Sequence, residues 1–140
     1  MTSPGLAVLL AVNGVGILFV SLFAGLLLYR TLLRGQEPHD WHLLHAGGSG
    51  RGVMLMALAG IIHLAVLPSW LLWWATLAII VFAWASTMAM LITGLTGESG
   101  FRQQGPLINR LAHALYVAGA AAVFPGMAII GFGLARQLLP

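Results

Sequence analysis

The sequence predicts an all-α fold, an integral membrane bundle of four transmembrane helices in a single domain over residues 1–140. Three observations predict it. The chain is 60% hydrophobic and only 6% charged, with a mean hydropathy of +0.98, which leaves too little polar surface to face water. Its apolar runs are each close to the roughly 20 residues that a helix rising ~1.5 Å per residue needs to cross the hydrocarbon. Its few charges gather at the ends of those runs.

The first helix is expected over about 6–29, an apolar run interrupted only by Asn13, Ser21 and glycines and closed by Tyr29 and Arg30. No Lys or Arg occurs before Arg30, so the basic n-region of a signal peptide is missing and the segment reads as a retained span. A polar loop follows over 30–48, because Pro38 disfavours helix on its approach. The second helix is expected over 49–67 and is stopped by Pro68. The third, over 70–95, opens with Trp70, Trp73 and Trp74, indoles that favour the headgroup level. Gly97 and Gly100, then Gly105-Pro106, mark a second polar loop over 96–106. The fourth helix runs over 107–134 with a kink expected at Pro125. Arg30, Arg34, Arg51, Arg102 and Arg110 lie on one side and Arg136 on the other. The positive-inside rule then puts both polar loops in the cytoplasm and both termini outside the inner membrane.

Several chemistries are excluded. With no cysteine there is no disulfide, thiolate metal site or cysteine nucleophile. With no lysine there is no retinal Schiff base. Glu37, Asp40 and Glu98 all fall in the expected loops, so no carboxylate pair or intramembrane proton relay is available. Zinc-protease, nucleophile-elbow and phosphate-loop motifs are absent. Six arginines against three acids are a small excess at helix ends, a topology signal rather than a nucleic-acid surface.

The stretch WHLLHAGGSGRG, Trp41 to Gly52, stands apart. Buried polar residues are expensive in lipid and each needs a partner or a purpose. His45 and His63 are eighteen residues apart, about five turns, which puts them on one face but roughly 27 Å apart, too far for one metal. His113 is expected at the depth of His45, so the two are positioned to face one cofactor; hydrogen bonds to a carbonyl or a neighbouring helix are the structural alternative for His113 and His63. His39 and His42 are expected in the loop. Gly47, Gly48, Gly50 and Gly52 let a flat macrocycle or another helix approach, and Gly48-x-x-x-Gly52 is also a helix-packing spacing. Arg51, the one charge set within an expected span, calls for an anion, either a cofactor carboxylate or a lipid phosphate.

The order Trp41-x-x-x-His45-x-Gly47, Gly52-x-Met54, a Leu67-Pro68 helix end and Trp84-Ala85 resembles the styrene oxide isomerase family, with an ungapped spacing from Gly52 to Trp84. The loop Gly97 to Pro106, the Gly-rich fourth helix and Gly16-Ile17-Leu18 extend the likeness to most of the chain. The resemblance implies a homotrimer holding haem b near subunit interfaces, with His45 as the iron's axial ligand across the protomer boundary. Trp41, Gly48, Arg51, Trp84 and His113 are then expected around the cofactor. It further implies ferric iron acting as a Lewis acid on a small apolar substrate such as an aryl epoxide, with a 1,2-hydride shift to an aldehyde. Two positions depart from the family pattern: Arg51 stands for an active-site asparagine and Met90 for an active-site tyrosine, which makes both candidate catalytic positions. The competing reading is a b-type cytochrome for electron transfer or haem handling, with Met90 or His113 on the sixth iron position. A cofactor-free packing subunit, with Met90 as core filling, is the third.

Overall fold

The computed structural model describes residues 3–36, 41–97 and 99–138. Its four long helices are α1 (Ser3–Leu33), α2 (Trp41–Ile61), α3 (Ser69–Thr96) and α4 (Leu107–Ala135), and short 3-10 turns follow α2 at Ile62–Leu64 and α4 at Arg136–Leu138. The chain is all-helical, and α1, α3 and α4 are each long and apolar enough to cross a membrane. Large apolar side chains such as Phe19, Leu22, Phe124 and Phe132 cover the outside, the arrangement lipid stabilises and water does not. The protein is membrane-embedded.

α1 packs on α2 and α3 on α4, while α2 meets α3 to join the two pairs. The α1–α2 seam is made close by glycine. A Cβ on Gly52 would fall 2.6 Å from Leu18 Cγ and 2.9 Å from the Gly14 carbonyl, and one on Gly14 would fall 2.8 Å from the Gly52 carbonyl. Only hydrogen fits on either side, so the two backbones touch. Below this crossing Leu6, Leu10, Ile17, Leu55, Leu58, Ile62, Leu72, Ile79 and Ile130 form the main apolar core.

The expected bounds hold closely for α3 and α4 and fail for α2. Rather than a loop over 30–48, α1 continues to Leu33 and α2 starts at Trp41, so His42, His45, Gly47 and Gly48 are helical. Glycine costs a helix about 1 kcal/mol per residue, yet here the small residues admit α1, and interhelical packing offsets that cost. At its other end α2 stops at Ile61 instead of Leu67. There Val66 N–H donates to the Gly133 carbonyl at 3.0 Å and Gln137 Nε2 donates to the Leu64 carbonyl at 2.6 Å, which draws the segment onto the end of α4. α4 runs on through Pro125 as one helix.

Candidate functional site

The site begins on α1, where Ser21 and Gly25 lie one turn apart facing α2. Ser21 Oγ–H donates to the His45 carbonyl at 2.5 Å and lies 2.8 Å from Ser49 Oγ. A Cβ on Gly48 would come within 3.0 Å of Ser21 Cβ. Gly48 and Gly52 therefore serve helix packing; Gly48 is buried against α1, and the face expected to meet a macrocycle is filled by Ser21. Gly25 leaves room for an imidazole, since a Cβ there would fall 2.7 Å from His45 Nδ1.

That imidazole is half-buried, and its Nδ1 lies 2.9 Å from the Ser21 carbonyl. A carbonyl only accepts, so Nδ1 carries a proton, and in the neutral ring Nε2 then keeps its lone pair. One hydrogen bond thus sets both the ring's orientation and its tautomer.

Two turns along α2, Arg51 crosses to α3. Its Nη2 donates to Met90 Sδ at 2.8 Å, while its Nε is buried with no hydrogen-bond partner. Gly47 backs this pair, for a Cβ there would stand 3.3 Å from Arg51 Nη2 and from Met90 Sδ. Tyr116, from α4, is close enough for its phenol to interact electrostatically with the guanidinium. The Tyr116 ring stacks on Phe101 with centroids 5.4 Å apart.

The remaining expected residues fall in different places. Trp41 is buried over Gly94 and packs with Leu44 and Ala24 beside Met90. Trp84 lies on Gly16 and donates its indole N–H to Asn13 Oδ1 at 2.8 Å; Asn13 in turn donates to the Leu9 carbonyl. Both indoles are tied into helix packing. His113 lines a groove on α4 with Gln103, Leu107, Arg110 and Leu111, whereas His45 rests against α1, so the chain does not bring the two imidazoles together. His63 is exposed in the 3-10 turn beyond α2. His42 is exposed in the first turn of α2, and His39 lies outside the described residues.

Ser21, Gly25, Asn13 and Tyr116 did not emerge from sequence reasoning. A signal for the α1 pair was present, because Gly14, Ser21 and Gly25 repeat small residues at helical spacing. Asn109 was missed as well. Buried at the start of α4, it accepts from Gly100 N–H at 2.8 Å and donates to the carbonyls of Arg102 and Gln104 at 2.7 and 2.6 Å, fixing the preceding loop.

Among the described residues no group of three or more His, Cys, Asp or Glu converges. The fold and site define a helical membrane protein that presents an oriented imidazole toward α1 and, from the same helix, a half-buried guanidinium toward α3. A model of the styrene oxide isomerase family matches residues 6–135, nearly the whole span of the four helices, and the chain belongs to that family. Membership indicates an isomerase-like function. Compared with curated proteins one by one, the chain matches none.

Proposed function

We propose that the protein is a haem b-dependent isomerase of the styrene oxide type, converting a small aryl epoxide to an aldehyde. In this reading three copies assemble in the inner membrane, with polar loops cytoplasmic and both termini outside. The observation that carries it is His45, whose Nδ1–H is spent on the Ser21 carbonyl so that Nε2 alone is left as a donor. A bare metal ion would want several protein ligands, whereas haem brings four nitrogens and asks the protein for one or two. The donor set therefore fits haem.

Haem bound there supplies a Lewis acid for the epoxide oxygen, and isomerisation by a 1,2-hydride shift needs no net electron transfer. The chain's own contribution is preorganisation. The Ser21 carbonyl makes His45 a stronger donor, and the Ser21 hydroxyl pins the backbone that carries it. Arg51 is the electrophilic or carboxylate-binding partner on the same helix. Met90 positions that guanidinium through its sulfur.

The test is an optical spectrum of the purified protein with an assay on styrene oxide. A high-spin ferric spectrum and aldehyde formation are expected, and His45→Ala should lose haem while still inserting. Undiminished haem in that variant, or a low-spin spectrum in the parent, overturns the assignment.

A further inference from the structure

Arg51 sits eleven residues into the 21-residue α2, away from both helix ends. Its planar group carries five N–H donors in a fork that matches a carboxylate. The Nε and Nη2 protons lie along one edge of that fork. Of this edge, Nη2 meets only a thioether, a weak acceptor, and Nε meets nothing. Burying such a donor unpaired is costly. No acid occurs among the described residues, and in sequence the nearest acid to Arg51 is Asp40, eleven positions back. Met90 is unbranched and adaptable, so its side chain can change rotamer as an oxygen takes the place of the sulfur. Tyr116 of α4 lies within electrostatic range of the guanidinium.

We propose that the Nε–Nη2 edge of Arg51 is a binding point for a single carboxylate inside the bundle. Two sources share this chemistry: a carboxylate carried by the substrate itself, or a carboxylate of the cofactor. The substrate arm rests on the isomerase reading and narrows it to an epoxide bearing an acid group; the site itself does not depend on that reading.

The experiment is calorimetric titration of the full chain in lipid nanodiscs with phenylacetate and with the isosteric neutral phenylacetamide, beside titration with haem and with haem dimethyl ester. A charge-assisted bidentate bond predicts a preference of about tenfold or more for the charged member of a pair. Preference for phenylacetate identifies a substrate carboxylate, and preference confined to haem over its ester identifies the cofactor. In either case Arg51→Gln should level the pair, and Arg51→Lys should keep part of the preference. Equal binding within both pairs by the parent protein, or a preference that survives Arg51→Gln, overturns the proposal. A protein that binds no haem yet prefers phenylacetate refutes the isomerase reading and leaves this site standing.

Discussion

The two halves of α2 are built on different principles. From Val53 onward the helix is anchored by apolar packing, with Leu55 fully buried and Leu58 nearly so, and Ile62 buried just past its end. From Trp41 to Gly52 it also buries Trp41 and Leu44, but what sets it apart are its glycine contacts and the hydrogen bonds from Ser21 and His45 to backbone carbonyls across the seam. The difference shows how one short helix serves two ends. The apolar half fixes position by burial, which tolerates small shifts, and the polar half inherits that position and converts it into the orientation of one ring.

The strongest way to break this division is at the boundary between the halves. Gly52→Leu would drive a side chain into Leu18 and the Gly14 carbonyl, and overpacking against backbone typically costs about 1–3 kcal/mol or more. The expected outcome is separation of α1 from α2 and loss of folded protein, read as a collapse of the monodisperse peak in detergent. Gly25→Ala sharpens the comparison instead. Its Cβ would fall 2.7 Å from Nδ1 of His45, so the ring must move while the apolar half stays in place. The variant should keep its thermal midpoint within a few degrees, the expectation for a change of under ~1 kcal/mol, and lose the His45–Ser21 bond, seen as a changed imidazole nitrogen shift in NMR. An unchanged shift would show that the ring is not seated there. The smallest effect runs the other way. Gly50 has open space around it, so Gly50→Ala should stabilise the helix by roughly 0.5–1 kcal/mol, measured as a raised unfolding midpoint with the imidazole signal unmoved.

The apolar spans were legible because lipid imposes one simple demand, a sufficient length of hydrophobic helix, and α3 and α4 begin and end within a residue or two of their expected bounds. The start of α2 was not legible. Histidines and glycines read locally as a loop, and only the presence of Ser21 and Gly14 on a different helix makes helix the better state. The same holds for the site. His45 was visible as a residue out of keeping with its surroundings, but its partner lies 24 positions away, and the contact of Arg51 with Met90 spans 39. Nothing in local composition encodes pairings of that range. Trp41 and Trp84 show the converse: aromatics near the expected cofactor that the fold uses to fill space beside Gly94 and Gly16.

α1 carries outward-facing large apolar side chains from Val8 to Tyr29, a stretch of about 32 Å at the usual helical rise, and Arg30 closes it. Typical hydrocarbon is about 30 Å deep. The two lengths agree, so this helix can stand nearly upright without stretching or thinning the acyl chains around it. A bilayer of ordinary thickness therefore suits this chain, and a markedly thinner one would force it to lean.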